Sequence, residues 1–292
     1  MSQYICVDIG GTSIKHGVLD ENAIIKECNQ TKTEAWLGGA AVLDKVKTIG
    51  KQYKEQYENI EGICISTAGM VDPEEGKIVF AGELMPGYTG TCIKKELEKA
   101  LEMPCEVEND VNCAGLAEYV SGSAKESHIM FCASVGTGIG GCAIVNGASN
   151  SACEVGYIPM GDSDFQTLGA SSILVRKVAE KKIEPLDMWD GKKIFALAEK
   201  GDKVCISAIK EMCDVLGKGL ATICYVLNPD TIVLGGGIMV QKKILENEIR
   251  DSLNRYLRPI LAEHLQVCFA EYGNEAGMVG ALYNFQNKYG RK

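Results

Sequence analysis

Long hydrophobic runs are missing from this 292-residue chain. No stretch of about eighteen apolar residues occurs, which excludes a transmembrane helix. The N-terminus has no basic region, apolar segment or cleavage site of the secretory kind, so a cytoplasmic location is expected. Positive charge is in deficit: the net charge is −9 and the pI about 5.1, which argues against nucleic acid or an acidic membrane surface as the main partner. Histidine is scarce, with His16, His128 and His264 alone, and none of the thirteen cysteines forms a C-x-x-C pair. A structural zinc site is therefore not expected. The G-x-x-x-x-G-K-[ST] signature of Walker-type ATPases is absent too, and Gly138-Ile139-Gly140 does not open a helix as a dinucleotide fingerprint would.

What the chain does have is the composition of a globular protein, 46% hydrophobic and 24% charged, at a length that suits two domains. Several cysteines, among them Cys6, Cys64, Cys132, Cys142 and Cys224, lie inside apolar runs and read as small buried hydrophobes. Two glycine clusters stand out: Asp8-Ile9-Gly10-Gly11-Thr12 and Ser134-Val135-Gly136-Thr137-Gly138-Ile139-Gly140-Gly141. Each follows one strand-like run and precedes another. Either is a plain glycine-rich hairpin or a turn whose amides and hydroxyls cradle an anion, with glycine supplying positive φ and close approach. Their joint occurrence favours a pair of jaws on a phosphate chain.

The order of elements repeats. Tyr4 to Asp8, Gly17 to Leu19 and Ala23 to Cys28 read as short strands. A helix from Gly38 carries Val42, Val46, Ile49, Tyr53 and Tyr57 at helical spacing, and a strand from Ile60 to Ser66 ends at Thr67-Ala68-Gly69. Downstream, His128 to Val135 and Gly141 to Val145 read as strands, Lys203 to Leu227 as a long helix, and Asp230 to Leu234 as a strand ending in Gly235-Gly236-Gly237. Duplication of this kind predicts two related α/β domains with a ligand cleft between them. The boundaries expected are 1–118 for a smaller N-terminal domain and 119–276 for a larger one. A last helix, about 277–288, is expected to pack back on the first. Residues 149–185 break the pattern and read as an insertion, residues 185–190 as a loop, and Gln241 to Tyr256 as a further helix.

Glu108-Asn109-Asp110 sits at a strand-to-helix junction. Asp110 there either accepts a proton from a substrate hydroxyl while Asn109 orients that substrate, or one of the two caps the helix. Asp8 ends a strand before the first glycine turn and suits a Mg²⁺ held through water or phosphate; Thr12 and Thr137 offer hydroxyls to phosphate oxygens. Lys15 either reaches a phosphate or is a solvated surface lysine, and it is not counted as catalytic. Glu154-Val155-Gly156-Tyr157 reads as a surface loop, or as a carboxylate and a phenol facing a sugar.

In their order, Asp8 to Thr12, Ser66 to Asp72, Glu108 to Asp110, Ser134 to Gly141, Glu154 to Gly156 and Leu234 to Gly237 resemble the ROK sugar kinases over nearly the full length. The resemblance implies a duplicated ribonuclease-H-like α/β fold of the actin/hexokinase kind and transfer of the ATP γ-phosphate to a sugar hydroxyl. It implies Asp110 as the base for the 6-hydroxyl, with Asn109, Glu154 and Tyr157 at the sugar and Gly69 beside it. Asp8, Gly10, Gly11 and Thr12, together with Gly136, Thr137, Gly138 and Gly140, would hold the phosphates and Mg²⁺; Gly235, Gly236 and Gly237 would lie beside the adenosine. ROK members are often dimeric, although no self-associating surface is legible here. The chain departs from the family pattern in two places: Gly156-Tyr157 replaces the usual Gly-His, and 161–172 lacks the cysteines of the usual zinc knuckle. Both departures resemble the family's β-glucoside kinases, so a β-glucoside such as cellobiose is the expected substrate and no zinc is expected. A free hexose or N-acetylmannosamine is the competing substrate, in the manner of glucokinases and fructokinases. A non-catalytic sugar sensor is the competing function; the helix-turn-helix of the ROK repressors has no room before Asp8.

Overall fold

The computed structural model describes residues 2–290, the side chains of 150–152 aside. The chain divides into two compact units. One runs to Gly122 and takes in Ser149–Ala152 and the C-terminal segment from Asn274; the other comprises Ser123–Ala148 and Cys153–Gly273. They are of nearly equal length, where the sequence suggested a smaller first domain and a larger second one.

The first unit is built on β1 (Gln3–Ile9), β2 (Ser13–Asp20), β3 (Ile25–Lys32), α1 (Gly39–Gln56), β4 (Ile60–Thr67), β5 (Met70–Asp72), β6 (Lys77–Phe80), α2 (Ile93–Leu101), β7 (Cys105–Asn109) and α3 (Asp110–Ser121). Its five-stranded sheet has the order β3-β2-β1-β4-β7: an antiparallel meander followed by two strands parallel to β1. Ile5, Val7, Ile63, Ile65 and Val107 form one core with Val42, Val46 and Ile49 of α1 and Leu97 and Leu101 of α2. β2 and β3 are longer than apolar content alone suggested, because pairing with a neighbour carries polar residues into a strand. His16 is the example, buried in β2 with its ring nitrogens 2.9 Å from Tyr53 Oη and 3.1 Å from Thr31 Oγ1.

The second unit contains β8 (Ile129–Val135), β9 (Ile139–Val145), β10 (Ala148–Cys153), β11 (Pro159–Met160), β12 (Ser163–Asp164), α4 (Phe165–Gly169), α5 (Ser171–Lys182), α6 (Gly191–Glu199), α7 (Lys203–Leu227), β13 (Thr231–Gly235), α8 (Lys242–Tyr256), α9 (Pro259–Ala262) and β14 (Gln266–Phe269). Its sheet order, β10-β9-β8-β13-β14, repeats that of the first unit strand for strand. The stretch read as an insertion is ordinary secondary structure: β10 is a sheet strand, and α5 buries Leu174, Val178 and Ala179 against the core that α7 dominates. Residues 186–188 form a 3₁₀ turn rather than an open loop.

The last helix, α10 (Ala276–Tyr289), belongs to the first unit and lies across β1, β4 and α3. Glycine permits this approach. A Cβ on Gly280 would stand 1.7 Å from the Cys113 carbonyl oxygen of α3, and one on Gly62 2.4 Å from the Phe285 ring.

Candidate active site

In the first unit, the ends of β1, β4 and β7 lie side by side. Lys15, Asp8, Ser66 and Glu108 are register partners along one row of the sheet. Ser66 Oγ donates to Asp8 Oδ1 at 2.7 Å, and Lys15 Nζ lies 3.6 Å from Asp8 Oδ2. The first turn of α10 abuts the same carboxylate, since a Cβ on Gly277 would be 2.5 Å from Asp8 Cγ. The partial positive charge of a helix N-terminus favours an anion there. Lys15 is thus a partly buried ion-pair partner of Asp8 rather than a solvated surface lysine.

At the junction of β7 and α3 the capping reading of Asn109 holds. Its Oδ1 accepts from Val111 N and Asn112 N at 2.9 and 3.1 Å, so it is the N-cap of α3. Its Nδ2 donates to Gly69 O at 2.9 Å and to Asp110 Oδ1 at 3.0 Å, which locks the amide between the Gly69 turn and the carboxylate. Asp110 is half-buried. Burial first, and the charge of Asp8 second, push its carboxyl up to about 7, against the lowering effect of its hydrogen bonds. A carboxylate poised near neutrality suits a general base. Gly69 itself has φ +99, with Phe80 O 2.9 Å from where a Cβ would stand. Only glycine makes that turn cheaply.

The two glycine turns differ from expectation in how they use glycine. None of Gly10, Gly11, Gly136, Gly138 and Gly140 has a left-handed φ; among the expected site glycines that conformation belongs to Gly69 and Gly236. The first amide of each turn is also consumed internally, Gly10 N donating to Ser13 O and Gly136 N to Gly138 O. A Cβ on Gly11, Gly136 or Gly237 would meet nothing within 4 Å, so packing inside the chain does not demand glycine there. Gly236, at φ +96, passes so close to Val135 that a Cβ would be 2.3 Å from its carbonyl oxygen, and Gly140 and Gly235 both pair with Ser134.

Side chains that the sequence reading passed over pin these turns. Thr33 Oγ1 donates to Gly10 O at 2.6 Å, and in the second unit Ser171 Oγ and Ser172 Oγ donate to Gly136 O and Thr137 O at 2.6 and 2.7 Å. The serines begin α5, inside the stretch read as an insertion, and carry no local signal beyond a helix start. Thr67 Oγ1 lies 2.7 Å from the buried Tyr88 hydroxyl, holding the strand end before Gly69. Glu108, buried beneath Asn109, accepts from Asn109 N at 2.7 Å and from Asn112 Nδ2 at 3.1 Å, and burial raises its carboxyl above the usual range.

Glu154 and Tyr157 share one 3₁₀ turn of the second unit, Val155–Tyr157, and both are exposed, Tyr157 at 59%. Gly156 between them is buried, and a Cβ there would be 2.5 Å from Ile139 O. The stretch 161–172 is held by an Asp164 cap, Thr167 N donating to Oδ1 at 2.7 Å, and by Phe165 driven against Gly219 of α7. Among the described residues no group of three or more His, Cys, Asp or Glu side chains is arranged to hold a metal ion. The single carboxylate of Asp8 fits Mg²⁺, which keeps most of its waters and takes phosphate oxygens for the rest.

The chain is similar to known proteins over nearly its whole length. A β-glucoside kinase of Klebsiella pneumoniae is 30% identical over 97% of this chain and 95% of its own. A ROK family glucokinase from Streptomyces griseus, solved with glucose and AMPPNP, superposes with a TM-score of 0.83 at 27% identity, over 97% of this chain and 98% of that one. A putative N-acetylmannosamine kinase from Listeria monocytogenes gives 0.88 at 26% identity, over 98% and 99%. The two-unit α/β architecture is that of these hexokinase-like kinases, and residues 4–288 match the ROK family: the chain belongs to the ROK family.

Proposed function

We propose that the protein is an ATP-dependent sugar kinase that transfers the γ-phosphate to the 6-hydroxyl of a sugar, with a β-glucoside as substrate. The observation that carries this is the Asn109–Asp110 pair, a carboxylate poised near neutrality and oriented by an amide that also fixes the Gly69 turn. In this reading Asp110 Oδ2 takes the 6-hydroxyl proton as the sugar oxygen bonds to the γ-phosphorus and ADP leaves. Asn109 and the Gly69 turn orient the sugar, and Glu154 and Tyr157 are the further residues assigned to it. The amides and hydroxyls of Gly11-Thr12 and Thr137-Gly138 hold phosphate oxygens, with Gly235 to Gly237 beside the adenosine. Asp8 would hold Mg²⁺ through water or phosphate, and the ion would supply charge neutralisation at the transferring phosphate. The reading puts the protein where ATP is, in the cytoplasm.

Support for a β-glucoside comes from the K. pneumoniae relative and from Tyr157, which stands where a histidine is usual in the family. A coupled ADP-release assay across cellobiose, gentiobiose, an aryl β-glucoside, glucose, fructose and N-acetylmannosamine, compared by kcat/KM, tests it. Preference for the β-glucosides is the expected result. A free monosaccharide in first place overturns the substrate while keeping the kinase, and no turnover on any sugar overturns both.

A further inference from the structure

Isolated exposed hydrophobics are normal on a folded protein, but several on segments that are tied to a polar site point to an occupant. The first unit carries four on such segments. Trp36 and Leu37, 70% and 56% exposed, project from the 3₁₀ turn that follows β3. Left-handed residues bracket that turn, Glu34 at φ 52 and Gly38 at φ 89. Phe80, 53% exposed, ends β6, and Leu84, 82% exposed, stands in the loop that follows.

These segments are tied to each other and to the residues proposed to hold the sugar. Gly39 N donates to Pro86 O at 2.9 Å, and a Cβ on Gly38 would be 2.9 Å from the same oxygen, so the turn of Trp36 and the loop of Leu84 are clamped together. Two residues further on, Tyr88 bonds Thr67 at the end of β4. Phe80 O and Ala81 Cβ back directly onto Gly69, whose carbonyl oxygen accepts from Asn109. Thr33, at the start of the connection to Trp36, anchors the first glycine turn. The segments that carry the exposed side chains are thus anchored to the strand ends of Gly10, Thr67 and Gly69.

We propose that these side chains, Trp36 with Leu37, Phe80 and Leu84, are the subsite for the aglycone, and that it takes an aromatic ring carried on the glycosidic oxygen of the sugar. The assignment rests on the reading of Asn109 and Asp110 as the sugar-holding pair. Aromatic and aliphatic side chains offer a ring large contact area and edge or stacking geometry. A free monosaccharide has no group to place there.

The test compares phenyl β-glucoside, cellobiose and glucose in the full-length protein, its Trp36→Ala and Phe80→Ser variants, and Trp36→Phe as the conservative control. The exposed positions of both side chains make loss of folding unexpected. KM for phenyl β-glucoside should rise about tenfold or more in Trp36→Ala and Phe80→Ser, with kcat and the glucose parameters unchanged, and Trp36→Phe should restore most of the loss. A second readout needs no turnover. Trp36 is exposed and the other tryptophan, Trp189, is buried, so Trp36 emission should shift to shorter wavelength with phenyl β-glucoside and not with glucose. An equal shift with glucose, an equal rise in KM for all three sugars, or cellobiose alone responding overturns the proposal. In that case the kinase reading stands as long as glucose or cellobiose is phosphorylated. Absence of all turnover with the emission shift intact would instead overturn the kinase reading and leave the ring-binding subsite in place.

Discussion

At the scale of single residues, Asp110 carries the sharpest expectations. Replacing it with Asn keeps the size and the link to Asn109 but removes the proton acceptor, so kcat should fall by about 10²- to 10⁴-fold while ATP binding persists. In the parent enzyme kcat/KM should fall as pH drops below about 7, with a slope of one, because the carboxyl protonates there. The same shift has a stability consequence. A carboxyl raised in the folded state binds its proton more tightly there than in the unfolded chain, so folding loses free energy as pH climbs from about 4 to about 7, and the loss is complete above that. Asp110→Asn should therefore melt higher than the parent at pH 8, with the gap narrowing toward pH 4 in paired thermal melts. Asn109 shows why sequence left this site ambiguous: the cap uses Oδ1 while Nδ2 bonds Gly69 O and Asp110, and spacing along the chain cannot separate a cap from the substrate-orienting role proposed for the same amide.

At the scale of elements, close packing and end caps dominate. Gly280 lets α10 touch the backbone of α3, and Gly280→Ala drives a Cβ to 1.7 Å from the Cys113 carbonyl oxygen. Over-packing of this sort costs about 1–3 kcal/mol or more, because backbone rather than a flexible side chain must give way. Denaturant titration should show a lower midpoint with an unchanged slope. The N-terminus of α7 offers a gentler test. Asp202 caps it by accepting from Val204 N and Cys205 N, each at 3.0 Å, and pairs with Lys182; the hydrogen bond from Lys182 and these amides depress its carboxyl to about 2. A depressed carboxyl stabilises the fold above the unfolded pKa near 4, and that contribution disappears as pH falls through about 2. Asp202→Asn keeps the cap and loses the charge. Its melting temperature should fall below the parent's at pH 7 and converge with it near pH 2.

At the scale of the whole molecule, one topology is used twice with different chemistry. The row Lys15–Asp8–Ser66 of the first sheet corresponds to Gly140–Ser134–Gly235 of the second: charge and hydroxyl on one side, small neutral residues on the other. A protein of net charge −9 that holds an anion at such turns must do so through local amides rather than its overall field. The C-terminal helix completes the first unit from the far end of the sequence, burying Met278, Val279, Leu282 and Phe285. At roughly 1.5–3 kcal/mol for each such side chain, its removal approaches the entire stability of an ordinary domain, about 5–15 kcal/mol. Deleting residues 274–292 should abolish activity and cooperative melting although every proposed catalytic residue is retained. A truncated protein that still melts cooperatively and turns over sugar would contradict this.

The sequence by itself determined the elements and their repetition: apolar periodicity marks α1, α7 and β4, and each glycine turn follows one strand-like run and precedes another. It determined the family as well, through the order of motifs from Asp8 to Gly237. Tertiary structure decided what periodicity cannot carry. Thr33, Ser171 and Ser172 act by hydrogen bonds to turns that are 23 and 35 residues away. The strand β10 exists through its place in a sheet rather than through its composition. Lys15 changed from a surface residue to the partner of Asp8 because strand register sets them opposite each other, and Asp110 gained its raised carboxyl from burial and from a charge that lies about a hundred residues away in the chain. Local sequence encodes propensity and pattern; register, burial and long-range charge arise only when distant segments meet.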